Sequence, residues 1–157
     1  MHSSLDEQLE QHLAQRQQSL IRMLGLLKKD MDCRIMQKLQ QKGYTNFKLG
    51  DLVLIVNIDP QGIINNELAR KARITKQAMS KVVKNLEAGG FIHTSKHLSD
   101  ARAAVISLTD EGKKLIICAA ESFQEIQAEY TEIIGEQDAD ALKQILRKLV
   151  FSLHPEC

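Results

Sequence analysis

Thr75-Lys76-Gln77-Ala78-Met79-Ser80-Lys81-Val82-Val83-Lys84-Asn85-Leu86-Glu87-Ala88-Gly89-Gly90 is the stretch on which the fold reading turns. At helical spacing Ala78, Met79, Val82, Val83 and Leu86 form one apolar stripe. Thr75, Lys76, Gln77, Ser80, Lys81 and Lys84 fall on or beside the opposite face. Thr75 is a good N-cap, and Gly89-Gly90 supplies a stop. The outward face therefore offers three lysines and three hydrogen-bonding side chains, with no carboxylate among them.

The residues on either side give this helix a context. Asn65 to Lys71 is a short amphipathic segment with Leu68 and Ala69 as its apolar residues, and Ala72-Arg73-Ile74 is a tight connection into Thr75. Short helix, three-residue turn and longer helix make a helix-turn-helix. Downstream, Phe91 to Lys96 and Ala104 to Thr109 read as short strands, with His97 to Ala103 as the hairpin tip between them. A helix-turn-helix followed by such a hairpin is a winged helix. The wing would carry Arg102 towards a neighbouring minor groove, whose concentrated negative potential favours arginine, and Lys96 is a further expected DNA contact. Asp100 would hold the Arg102 guanidinium through a charge-assisted hydrogen bond, although the two could equally pair across a turn with no nucleic acid involved.

Asp100-Ala101-Arg102 followed by Leu108-Thr109-Asp110-Glu111-Gly112 resembles the D-x-R…L-T-x-x-G wing signature of the MarR family of winged-helix transcription regulators, and Thr75 to Glu87 resembles that family's recognition helix. The resemblance extends roughly from Gln18 to Leu149. It implies a cytoplasmic homodimer that binds a pseudopalindromic operator in double-stranded DNA and releases it when a small molecule or an oxidant binds. His97-Leu98 stands where the family commonly has Asp-Pro, and Ala101 where it often has a second basic residue, so this wing is less basic.

Composition and charge are compatible with this reading. The 157 residues suit one domain with a real core, and the two prolines and eight glycines favour helices. The net charge of +1 conceals an asymmetry. Residues 65 to 102 hold eight Lys/Arg against three acids, a balance of +5, which leaves −4 for the remainder. A duplex feels the local field rather than the total. The expected class is mainly α with a small β-hairpin wing. The winged head would occupy about 47–109 and the dimerisation helices about 5–41 and 110–153.

Leu5, Leu9, Leu13, Leu20, Leu24, Leu27, Met31, Ile35 and Leu39 predict one long helix from Leu5 to about Gln41, stopped at Gly43, with its leading seam in a dimer interface. Gly25 inside it suggests a close approach or a bend. Phe47 to Ile58 reads as a second helix, with a buried strand over 52–58 as the competing reading. Asp59-Pro60-Gln61-Gly62 is a turn, Ile63-Ile64 a short strand, and Asn65 or Asn66 the cap of the next helix. Thr109 caps a helix whose buried side is Leu115, Ile116, Cys118, Ala119, Phe123, Ile126, Tyr130, Ile133 and Ile134. A last helix starts at Asp138 with Leu142, Ile145, Leu146, Leu149, Val150 and Leu153 as its stripe.

An effector pocket is expected in the crevice between head and dimer region, among Leu24, Lys28, Cys33, Gln37, Phe47, Asp51 and Ile116. Cys33, with Lys28, Lys29 and Arg34 nearby, is a candidate sensor thiol, although an inert thiol is the simpler reading. Three scattered cysteines make no disulfide framework and fit a reducing, cytoplasmic compartment. The five histidines show no metal spacing, and no cofactor is called for. No apolar run is long enough to span a bilayer. A phosphate-cradling glycine loop, a nucleophile elbow and paired carboxylates are all missing, which argues against an enzyme. The remaining rival is a winged-helix protein-interaction module, but such a face would more often expose aromatic or apolar anchors.

Overall fold

The computed structural model describes residues 4–96 and 104–154. It has seven helices and three short strands: α1 (Leu5–Gln17), α2 (Leu20–Gln41), α3 (Leu49–Ile55), β1 (Ile63–Ile64), α4 (Asn65–Lys71), α5 (Lys76–Ala88), β2 (Ile92–Lys96), β3 (Ala104–Leu108), α6 (Asp110–Ile134) and α7 (Glu136–Leu153). The strands form one antiparallel sheet in the order β1-β3-β2, with Ile63 opposite Ile106 and Ile92 opposite Leu108. The architecture is the expected winged helix-turn-helix flanked by long helices.

The predicted first helix is in fact two. Ser19 breaks it, accepting from the Arg22 N–H at 3.2 Å and donating to the Arg16 carbonyl at 3.0 Å. An N-cap serine outweighs the continuous leucine spacing because it satisfies orphan N–H groups of the new helix. Gly25 is not the break, and no other element comes within 4 Å of a Cβ built there. Lys42 and Gly43 end α2 as expected, with Gly43 at φ 99°.

The segment after Phe47 is a helix rather than a strand, though shorter than Phe47–Ile58. Leu52, Leu54, Ile55 and Ile58 are buried while Val53 and Val56 face out, a helical rather than alternating pattern. Its start is fixed by Asp51, whose carboxylate accepts from the Lys48 N–H at 2.9 Å. Its end is fixed by Asn57, whose amide donates to the Val53 carbonyl at 2.7 Å. The turn at 59–62 closes as expected, with the Gly62 N–H on the Asp59 carbonyl at 2.8 Å. Neither asparagine caps α4. Ile64 holds the cap position, Asn65 is the first helical residue, and the Asn65 side chain accepts from the Asn66 N–H at 2.9 Å.

Thr109 is the N-cap of α6, and it does more than that. Its hydroxyl accepts from the Gly112 N–H at 3.1 Å and donates to the Gly90 carbonyl at 2.6 Å, while its N–H donates to the Phe91 carbonyl at 3.0 Å. Gly112 lies so close to that strand start that an added Cβ would sit 2.0 Å from the Phe91 carbonyl oxygen. The Leu108-Thr109-x-x-Gly112 motif is thus a joint fastening α6 to the end of α5.

Along α6 the buried line is Gly112, Leu115, Ala119, Ser122 and Ile126, with Ile116, Cys118 and Tyr130 half-buried against the core. Phe123, Ile133 and Ile134, expected inside, are exposed. The last helix begins at Glu136, two residues before Asp138, from a Gly135 at φ 84°. Of α7 only Ala139 is buried.

The pairing of α2 with α6 is polar at its rim. Asp30, Arg34, Lys38 and Lys42 recur every fourth residue along α2. Arg34 meets Glu129 at 2.7 Å, Lys38 meets Glu125 and Glu129 at 2.9 Å, and Lys42 meets Glu125 at 2.9 Å. The Tyr130 hydroxyl donates to Asp30 at 2.7 Å. The Tyr130 hydrogen bond, then Arg34, hold the Asp30 carboxyl below its usual range. Lys42 does the same for Glu125, and Lys38 for Glu129. Desolvation, with the bond to Asp30, pushes Tyr130 up to about 12.

Two predictions follow from these contacts. Gly112→Ala should cost about 2–3 kcal/mol in urea unfolding, because its methyl collides with backbone that cannot yield. Depressed carboxylates stabilise the fold above their unfolded values near 4 and lose that contribution as pH falls through their lower folded values. The raised tyrosine stabilises below its unfolded value near 10 and loses its contribution as pH rises towards 12. Thermal melting should therefore show a plateau falling below about pH 4 and again above about pH 10, with the alkaline fall reduced in Tyr130→Phe.

Candidate nucleic-acid interface

Helix α5 is held by its buried side. Met79 and Leu86 are buried, Val82 and Val83 are half-buried, and all four pack into the core. Ala78, assigned to that stripe by spacing, is exposed. It lies on the flank, where the 3.6-residue period turns it off the core. Thr75, Lys76, Gln77, Ser80, Lys81 and Lys84 are all exposed, as the sequence reading expects. None of the three lysines makes an ion pair among the described residues.

The hydrogen bonds refine what these groups can offer. Thr75 accepts from the Ala78 N–H at 3.2 Å, which leaves its hydroxyl proton available for an acceptor outside the protein. Ser80 donates its proton to the Lys76 carbonyl at 2.9 Å and would have to release it to reach a phosphate. Gln77, Lys81 and Lys84 point most directly away from the core, with Ala78, Asn85 and Ala88 exposed beside them. Reading Ala78 as part of the buried stripe hides this exposed methyl from the sequence analysis.

The turn before α5 fixes its direction. Arg73 has φ 53°, the only positive φ at a non-glycine among the described residues, and the Ile74 N–H returns to the Ala69 carbonyl at 3.2 Å. Lys71 is not free for a ligand, since it grips Asp59 at 2.9 Å. Behind α5, Lys96 is exposed at the end of β2, opposite Ala104. Asp100 and Arg102 lie outside the described residues.

The seven expected pocket residues are dispersed. Phe47 and Asp51 are buried, and Asp51 is occupied in capping α3. Lys28 is paired with Asp32, while Cys33 and Gln37 are exposed on α2 and Leu24 is half-buried. Two of the three cations near Cys33 are engaged elsewhere, Lys28 with Asp32 and Arg34 with Asp30 and Glu129, while Lys29 makes no ion pair among the described residues. Ile116 lines an open, mainly apolar depression of about 540 Å³ with Val56, Ile58, Pro60, Leu108 and Ile117. Phe47 and Asp51 border two other depressions. Among the described residues no cluster of His, Cys, Asp and Glu could hold a metal, and no helix is long and apolar enough to cross a membrane.

Residues 51–104, which run from α3 to the start of β3, match the family model described as MarR family. That stretch, about a third of the chain, is similar to the MarR family. It is 27 % identical over 125 residues to the HTH-type transcriptional regulator BilQ of Clostridium symbiosum, covering 79 % of this chain and 85 % of BilQ. A shorter stretch of 57 residues is 33 % identical to the transcriptional regulator AdcR of Streptococcus pneumoniae, spanning 36 % of this chain and 39 % of AdcR. Among solved structures, the MarR-family regulator Sco3205 of Streptomyces coelicolor in complex with DNA superposes with a TM-score of 0.66 at 20 % identity, over 99 % of this chain and 93 % of that one.

The left-handed turn at Arg73 is testable against its neighbours. Arg73→Gly and Arg73→Val both remove the guanidinium, so their difference isolates the backbone. The valine variant should unfold about 1–2 kcal/mol more easily than the glycine variant, measured by urea titration.

Proposed function

We propose that the protein is a repressor that binds a pseudopalindromic operator as a homodimer, with one α5 helix in each of two successive major grooves. The observation that carries this is the exposed, carboxylate-free face from Thr75 to Lys84, on the side of α5 opposite the buried Met79 and Leu86. Gln77 and Lys81 suit base edges, since their amide and ammonium groups match the donor and acceptor pattern of the major groove. Ala78 adds a methyl suited to a thymine methyl. Lys76 and Lys84, with the free Thr75 proton, suit phosphates, and Ser80 joins them only by giving up its bond to Lys76. Lys96 and Arg102 extend contact along the wing, with Asp100 as the partner that positions Arg102.

A second subunit is supported by what the single chain leaves uncovered. Leu5, Leu9 and Leu13 of α1, Leu20 and Ile21 of α2, and Leu142, Ile145, Leu149 and Leu153 of α7 are exposed apolar side chains, Leu5 to 84 %. Apolar faces on that scale mark an interface. Two heads held about 34 Å apart double the contacts and require a two-fold site. Repression needs only occupancy of a promoter. A small molecule that altered the angle between the heads would release the DNA, and the apolar depression beside Ile116 is a candidate place for it.

The test is selection of binding sites from random duplex, followed by affinity measured across salt. A palindromic site bound by a dimer, with affinity falling steeply as salt rises, is the expected result. Failure to enrich any palindrome would overturn the reading in favour of a protein partner. Lys84→Ala should weaken binding evenly across sequences and flatten the salt slope by about one per recognition helix. An unchanged slope would remove Lys84 from the phosphate contacts.

A further inference from the structure

Glu87 is the only acid on α5, near the C-terminal end of a helix that otherwise carries lysines. A carboxylate there opposes the attraction of the helix for phosphate. It does not neutralise Lys84 one turn earlier, since no ion pair joins them among the described residues. Its partner is instead Thr94, in the middle of β2. The Glu87 Oε1 atom accepts from the Thr94 N–H at 3.0 Å and from the Thr94 hydroxyl at 2.6 Å.

Strand β2 lies at the edge of the sheet, bonded to β3 on one side only. An edge strand leaves alternate N–H groups without a ladder partner, and here the carboxylate takes one of them. Thr94 sits opposite Ile106, midway along the hairpin that leads into residues 97–103. The base of that hairpin is already joined to α5, through the Phe91 N–H on the Leu86 carbonyl at 2.9 Å and the Thr109 hydroxyl on Gly90 at 2.6 Å. On the other side, β3 is paired with β1, and Ile92 and Ile106 are buried in the core, so what these contacts leave to be set is the angle of β2 to α5 farther out. The Glu87–Thr94 contact, three residues beyond Phe91, fixes that angle.

We propose that Glu87 is a positioning residue for DNA recognition, a latch that holds the wing strand β2 at a fixed angle to α5 so that helix and wing meet the duplex together. The proposal rests on the DNA-binding reading above. It runs against what charge alone predicts. Removing a carboxylate beside phosphates should tighten binding, whereas releasing the latch should weaken binding to the one site whose major- and minor-groove contacts must be made at once.

The experiment compares Glu87→Ala, Glu87→Gln and Thr94→Val with the parent protein, on the selected operator and on a random duplex of equal length. Melting temperatures serve as the check on folding. Glu87→Ala and Thr94→Val should lose about three- to tenfold in operator affinity, the equilibrium value of one net hydrogen bond. Affinity for the random duplex should stay the same or, for Glu87→Ala, rise. Glu87→Gln keeps an amide oxygen that can accept from Thr94, so it should retain operator affinity. Operator binding by Glu87→Ala as tight as the parent's would overturn the latch while leaving DNA recognition standing. Equal losses in the glutamine and alanine variants would overturn it too. A parent protein that does not distinguish operator from random duplex would overturn the DNA reading and the positioning role with it.

Discussion

The approach of Gly112 to the Phe91 carbonyl, secured by Thr109, is the contact on which the arrangement of this molecule depends. Three bonds converge there, from the Thr109 hydroxyl, from its N–H and from the Gly112 N–H. They join the end of α5, the start of β2 and the start of the 25-residue helix α6 in one place. Only glycine permits the contact, because any side chain would occupy the carbonyl's position. The reading head and the long helices are therefore not loosely tethered. A rotation of α6 must turn the base of α5 with it.

That connection gives physical meaning to control at a distance. Any shift of α6 is passed to α5 through this joint. The position of α6 is held against α2 by the alternating charges of Arg34, Lys38, Lys42, Glu125 and Glu129. These pairs lie at the partly exposed rim, so each adds modestly to stability and salt weakens them. Together they set which turns of α2 and α6 face each other, a matter of register more than of strength.

The cations of the head and of the start of α6 divide into two kinds. Lys71, Lys113 and Lys114 are paired with Asp59, Asp110 and Glu111 and serve the fold. Lys76, Lys81 and Lys84 make no ion pair among the described residues and remain available. The carboxylate at Glu87 is drawn sideways onto Thr94 and away from that face. A chain of net charge +1 can thus present a positive surface in one direction.

The recognition helix, its Thr75 cap, the strands of the wing and the Thr109 cap were legible in the sequence, because each is decided by neighbours within a few residues. A capping hydroxyl, a glycine stop and an apolar spacing act over one or two turns of chain, whatever the rest of the molecule does. The same local logic, followed without regard to Ser19, joined α1 to α2. Tertiary structure alone decided which apolar side chains are covered. Phe123, Ile133 and most of the α7 stripe satisfy helical spacing yet face outward, since burial depends on a partner surface that spacing does not specify. It also placed Ala78 outside, paired α2 with α6, committed Asp51 to a cap and dispersed the expected pocket. Those outcomes depend on residues tens of positions apart meeting in space, and no pattern along the chain records that meeting.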